Sequence, residues 1–263
     1  MASNLRTCKN TTIGIVLPEV NHHFFASVLD GIEQTANEAG YNIIICQTGE
    51  NVEKEVQSIQ TLMGSRVAGI LAGISKQTCT FQHLQEVINA DIPLVLYDRP
   101  CPSLPCDQVV SDDYLGAFKA VEYLIQTGCQ RIMYFSSPMQ LEVAHRRYQG
   151  WRDALQRYHM PIDKPDAIFC VNDDCASGVL YAAQILGLKI PEELAICGFS
   201  NAPLCRNTFP MLTTVEQHGV EIGKHAIIRL LKRLSGDERI AQTEMIATDL
   251  IVRETTKRKE SST

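Results

Sequence analysis

Residues 12–47 read TIGIVLPEVNHHFFASVLDGIEQTANEAGYNIIICQ. The first seven, Thr12 to Pro18, are apolar and β-branched and predict a buried strand. Phe24 to Ala39 carries Phe25, Val28, Leu29, Ile32 and Ala36 on one face at helical spacing. Gly40 then closes that helix as a C-cap glycine. Tyr41 to Gln47 returns to an apolar strand. The strands are apolar throughout rather than alternating, which is the mark of a sheet covered on both faces.

The same alternation continues downstream. Helices are predicted over 52–65, 80–89 and 114–127, with strands over 67–72, 93–97 and 108–111. Strand, helix, strand in succession means parallel βαβ units and a doubly wound α/β sheet. The pattern then restarts, with strands at 131–135, 167–171 and 194–199 and helices at 143–158, 176–186 and 220–234. Two such halves predict two parallel-sheet lobes with a ligand cleft between them. In this reading residues 12–110 form the N-terminal lobe and 111–236 mainly the C-terminal lobe. The return segment, about 207–246, is split between the lobes, and about 237–255 is given to the first. Residues 256–263 are a tail. Only eight residues, 159–166, separate helix 143–158 from the next strand. A regular alternation places a further strand and helix there, so the second lobe reads as one unit short.

Composition narrows the function classes. The 263 residues are 45% apolar and carry a net charge of −6, whereas a domain that grips duplex DNA by itself presents a basic face. The one dense basic run, Lys257 to Lys259, sits in the tail. Ten cysteines are present, several in strand-like runs such as Ile43 to Cys46, without CxxC or zinc spacing, and they fit a reducing cytoplasm. Bridges Cys101–Cys106 and Cys170–Cys175 are permitted by spacing only. No secretory leader or membrane-length apolar run is visible, so the chain is placed in the cytoplasm with no membrane partner.

Ligands of doubly wound sheets bind beyond the carboxyl ends of the strands, which directs attention to the residues there. His22, Phe24 and Phe25 follow strand one; the two rings either stack on a ligand or simply begin the helix core. Asp98-Arg99 follow strand four, as a ligand pair or a surface ion pair. Arg147 sits early in a helix whose face could equally be solvated. Asn172-Asp173-Asp174 could bind ligand or cap a helix. Ser200-Asn201 and Gln217 complete the set. Aromatic faces with planar hydrogen-bonding groups suit a polar ring bearing hydroxyls. There is no GxGxxG, P-loop, GxSxG or metal cluster, so neither enzyme chemistry, metal nor cofactor is expected.

Nine segments, IGIVLPEVNHHFF, RVAGILAG, IPLVLYDRP, VSDDYLGAFKAVEYLIQTG, RRYQGW, PDAIFCVNDD, ICGFSN, LTTVEQ and TDLIVRE, occur in this order. As a set they resemble the lactose-repressor (LacI/GalR) family of bacterial regulators, from about Asn4 to Glu254. The resemblance implies the type I periplasmic-binding-protein fold. It also implies the role of an allosteric, homodimeric, effector-sensing domain of a transcriptional repressor. Residues 1–11 then resemble the end of a hinge helix and its linker. Leu5 stands where the family wedges a leucine into the minor groove, and operator DNA would be bound through a helix-turn-helix absent from these residues. Carried over by motif, the ligand set is His22, Phe24, Phe25, Asp98, Arg99, Arg147, Asn172, Ser200 and Gln217. It is closest to a ribose-type site, with Ser200 where the family has a carboxylate and His22 where asparagine is usual. The implied effector is a sugar; a purine, nucleoside or sugar phosphate fits the same fold. The alternative is a periplasmic sugar-binding protein.

Overall fold

The apolar runs form strands because their β-branched side chains fill both surfaces of a sheet, and the amphipathic segments between them close over those surfaces. In a computed structural model the protein is described over residues 10–136, 141–160 and 165–257. Leu5 and the hinge-like residues 1–9 lie outside the described residues. The chain divides into two units, residues 1–111 with 218–246 and residues 112–217 with 247–263.

Unit 1 holds β1 (Thr12–Leu17), α1 (His23–Glu38), β2 (Asn42–Gln47), α2 (Val52–Gly64), β3 (Gly69–Ala72), α3 (Gln82–Asn89), β4 (Leu94–Tyr97) and β5 (Asp107–Ser111). Its sheet has the order β10-β5-β4-β3-β1-β2, with β10 spanning Thr243–Ile246 and every pairing parallel. Alternate residues of β1 feed different cores. Ile13, Ile15 and Leu17 pack with Val28 and Ile32 of α1, while Val16 packs with Ile59 and Leu62 of α2. This is the two-sided coverage that unbroken apolar strands require. Strand β2 departs from expectation. It is the sheet's edge, with Ile44 and Ile45 each about two-fifths exposed.

The helix assigned above to the second lobe, 220–234, belongs instead to unit 1 as part of the helix Gly219–Leu234. Glycine explains the placement. A Cβ on Gly223 would overlap the Val28 carbonyl oxygen of α1, and one on Gly31 would overlap that of Val220. The two helices approach backbone to backbone, and Ile222, Ala226, Ile227 and Leu230 complete the core over β1, β3 and β4. The C-terminal segment is also redistributed. Residues 243–246 extend the unit 1 sheet, whereas residues from 247 onward belong to unit 2.

Unit 2 holds α4 (Asp113–Gln126), β6 (Ile132–Phe135), α5 (Glu142–Arg157), β7 (Ala167–Cys170), α6 (Asp173–Ile185), β8 (Ala195–Cys197), the single turn α7 (Leu204–Asn207) and β9 (Thr214–Glu216). The unit 1 helix Gly219–Leu234 follows as α8, and β11 (Asp249–Ile251) pairs antiparallel with β9. The parallel sheet has the order β6-β7-β8. Its core is built from Leu124, Trp151, Leu155, Phe169 and Phe199 on one side and Cys170, Leu180, Ile196 and Leu212 on the other. In unit 1 the first strand has β2 on its outer side. Among the described residues no strand lies on the outer side of β6, and Met133 and Phe135 are nearly half exposed. The described cysteines are free thiols, including the Cys101–Cys106 and Cys170–Cys175 pairs. No helix among the described residues is long and apolar enough to cross a membrane.

Candidate ligand-binding site

In unit 1 the turn after β4 is the centre of a polar cluster. Asp98 adopts φ +66°, a left-handed conformation that asparagine and aspartate tolerate best. Arg99, 6% exposed, reaches back along the strand ends. Its two terminal nitrogens donate to the two carboxylate oxygens of Glu50, each at 2.7 Å, and Nη1 also donates to the Ile74 carbonyl at 2.5 Å. Its Nε lies 3.5 Å from Asp98 Oδ2. The guanidinium carbon stands 5.3 Å from the centroid of the Phe25 ring, which meets His22 at 5.5 Å and Phe24 edge-on at 5.4 Å. Both phenylalanines are also core residues, 3–4% exposed. Stacking and packing are therefore not exclusive, because one face of the pair is held by β1 while Phe25 borders the polar cluster. His22 is the N-cap of α1, in extended conformation and without a side-chain cap bond.

Glu50 is the residue that sequence reasoning missed. It ends the turn after β2, with φ +61° following Gly49. The strand-end rule that flagged Asp98 and Arg99 applies equally to Thr48-Gly49-Glu50. Burial pushes the Glu50 carboxyl up, but the hydrogen bonds and charge of Arg99 outweigh it and hold the group below the usual glutamate range. A second buried carboxylate braces the neighbouring loop. Glu55 accepts from the Ser75 amide at 2.5 Å, from Thr78 Oγ1 at 3.0 Å and meets His83 Nε2 at 2.8 Å. Burial is opposed here too, chiefly by His83 and Ser75, and the group again lies below its ordinary value. A carboxyl depressed in the folded state adds stability at neutral pH and loses it as pH falls below about 4.3. Glu55→Gln is therefore expected to be less stable than the native chain at pH 7, by about 1–3 kcal/mol. The gap should narrow between pH 5 and pH 3 in urea titrations; a gap constant over that range would contradict the assignment.

In unit 2 Arg147 is not on a solvated face. It is 6% exposed, donates from Nε to Asp113 Oδ1 at 2.7 Å and from Nη1 to the Val171 carbonyl at 2.6 Å. Its guanidinium lies over the Phe199 ring at 3.8 Å. Gly150 one turn on lets α5 touch α4, since a Cβ there would overlap the Tyr114 carbonyl. Burial raises the Asp113 carboxyl, with Arg147 opposing. Asn172, just beyond Val171, caps α6 by accepting from the Cys175 amide at 2.8 Å. Asp173 is structural: it accepts from the Ala202 amide at 2.8 Å and Thr214 Oγ1 at 2.5 Å and so pins the turn after β8. In that turn Ser200 has φ +115°. Its Oγ donates to Gln217 Oε1 at 2.7 Å, which unites two nominated residues 17 apart in sequence. Among the described residues no group of three or more His, Cys, Asp or Glu could hold a metal ion.

Comparison with known proteins agrees with this architecture. A family model described as periplasmic binding proteins and sugar binding domain of LacI family matches residues 10–164. A second, a periplasmic binding protein-like domain, matches 157–256. The HTH-type transcriptional repressor PurR of Vibrio vulnificus is 30% identical over 98% of this chain and 85% of its own length. The ribose operon repressor of Halalkalibacterium halodurans is 31% identical over 95% of this chain and 81% of its own. A crystal structure of a periplasmic binding protein/LacI transcriptional regulator from Alkaliphilus metalliredigens complexed with D-xylulofuranose superposes with a TM-score of 0.85. It is 28% identical and covers 95% of this chain and all of that one. With each unit built as parallel βαβ repeats, and with the first model alone spanning more than half of the residues, the chain belongs to the LacI family of transcriptional regulators, as its periplasmic-binding-protein-like effector domain.

Proposed function

We propose that this chain senses a small, polar, hydroxyl-rich effector, a sugar, and that the bound effector controls the affinity of a regulator for its operator. The ligand set is His22, Phe24, Phe25, Asp98, Arg99, Arg147, Asn172, Ser200 and Gln217. The observation that carries it is that each unit holds a buried arginine paired with a carboxylate and set beside an aromatic ring near the carboxyl ends of its parallel strands, with the neutral Ser200–Gln217 pair added in unit 2. That combination suits ring faces and hydroxyls. The reading is of a sensor and not an enzyme, in keeping with the repressors it resembles. DNA is bound through a helix-turn-helix head outside these 263 residues, with Leu5 as the minor-groove wedge, and the protein acts in the cytoplasm.

We read the protein as a homodimer. Tyr181 and Ile185 of α6 and its C-cap residue Leu186 are two-thirds or more exposed, and Phe209, tied to α6 by Gln184, is 85% exposed. A patch of this kind marks an association surface. We also read residues 159–166 as the place where unit 2 lacks a strand–helix unit. The open side of β6 supports this, as does the alignment with the Vibrio repressor, whose 286-residue span exceeds the length of this chain.

The test is a thermal-shift panel of pentoses, hexoses, disaccharides and nucleobases. A ligand at 100 times its dissociation constant adds roughly 2.7 kcal/mol. A shift with one free sugar supports the reading. Shifts with nucleobases alone would replace the sugar by a purine-type effector.

A further inference from the structure

Both buried arginines of the ligand set are already neutralised by the protein. Glu50, itself 8% exposed, takes both terminal nitrogens of Arg99 in the parallel two-bond geometry that a guanidinium otherwise offers to a phosphate or carboxylate ligand. The Ile74 carbonyl takes a third N–H. What Arg99 can still offer a ligand is its Nε edge, beside Asp98, and the remaining Nη2 hydrogen. The cluster Glu50, Asp98 and Arg99 then carries a formal charge of −1, with Lys76 Nζ 3.4 Å from Glu50 on a side chain more than half exposed. In unit 2 Arg147 is paired with Asp113, 2% exposed, and its flat face is covered by Phe199. Asn172, Ser200 and Gln217 are neutral.

Helix N-termini, the other source of positive potential for an anion, are screened in unit 2. The first turn of α4 carries Asp113 and that of α6 carries Asp173 and Asp174. The first turn of α1 has no acidic residue, but a helix end supplies only about half a charge. That is too little to offset the carboxylates facing Arg99.

We propose that Glu50 is a specificity-determining residue, which keeps Arg99 neutralised so that the site accepts an uncharged polyhydroxylated ligand and rejects its phosphorylated counterpart. Within unit 2 Asp113 neutralises Arg147 in the same manner. The inference deepens the sugar-sensor reading and rests on it for the identity of the accepted class. Its rejection of anions follows from the Glu50–Arg99 pair itself. Glu50 does not need to touch the ligand; it acts by occupying the Arg99 edge that a phosphate would use.

The experiment is calorimetric titration of the native chain and of Glu50→Gln. The probes are D-ribose, D-xylulose and D-glucose, the terminal phosphate ester of each, and inorganic phosphate. The native chain should bind a free sugar at least a hundredfold more tightly than its phosphate ester, and should not bind inorganic phosphate. Glu50→Gln should gain at least tenfold for the esters and for inorganic phosphate. It should also lose several-fold for the free sugar, because Arg99 is no longer held. A native chain that binds an ester as tightly as the free sugar overturns the inference and leaves the sensor reading in place. That comparison needs no variant, so it stands even if Glu50→Gln folds poorly. Glu50→Gln without any gain for phosphate also overturns it. Phosphate binding gained by Glu50→Gln with no sugar bound by either protein would sustain the neutralising role of Glu50 and defeat the sugar reading.

Discussion

Replacing Arg147 by alanine is expected to cost about 3–5 kcal/mol of folding stability, because it strands a buried carboxylate. Asp113 is 2% exposed and its partner lies 2.7 Å away. The substitution also deprives the Val171 carbonyl of its donor and the Phe199 ring of its cation. Urea unfolding at pH 7 measures the loss, and a change below about 1 kcal/mol would mean that Asp113 is neutral or solvated. Adding Asp113→Asn to Arg147→Ala should recover a large part of the loss, since an amide is cheaper to bury than an unpaired charge. The double variant is therefore the one in which to measure ligand binding, which we expect to be lost. The Asp113 pair thus makes Arg147→Ala a stability variant as well as a binding variant.

Gly223→Val is expected to destabilise unit 1 by about 3 kcal/mol or more. The added Cβ would overlap the backbone carbonyl of Val28 and crowd the Ile32 amide at 3.0 Å. A rotamer change cannot relieve a clash with backbone, so α1 and α8 must move apart and open the core between them. Gly178→Ala in α6 is the control of opposite sign. Nothing lies within 4 Å of a Cβ there, and alanine in a helix interior should add about 0.5–1 kcal/mol. A Gly223→Val variant as stable as the native chain would show that the close approach does not constrain these two helices.

The strand-end positions were legible because a doubly wound sheet leaves few places for a polar residue directly after a buried strand. Asp98-Arg99 and Ser200 both answer that rule and both belong to buried polar clusters. Asn172 answers two rules at once, since its cap bond is present and it still follows β7. Phe24 and Phe25 were ambiguous: both are core residues, and Phe25 also borders Arg99. Glu50 occupies the equivalent strand-end position after β2, but its partner Arg99 is 49 residues away and only the fold brings the two together. Glu55 and His83 gave no signal, as an acid and a histidine on amphipathic helices ordinarily face solvent. Their contact with each other, with the Ser75 amide and Thr78 hydroxyl also on Glu55, explains their burial.

The period of the apolar residues by itself determined the parallel α/β architecture and the order of strands and helices, because periodicity records which face each element must bury. Which unit claims each returning segment was decided only by tertiary structure. Helix α8 carries an amphipathic face that any sheet could cover. The paired glycines Gly31 and Gly223 let it close on α1 backbone to backbone. The charge state of the site was decided the same way. Arg99 and Glu50 are 49 residues apart, as are many arginines and glutamates that never meet. Only the fold brings them to one strand end and turns a free cation into a neutral, rigid edge.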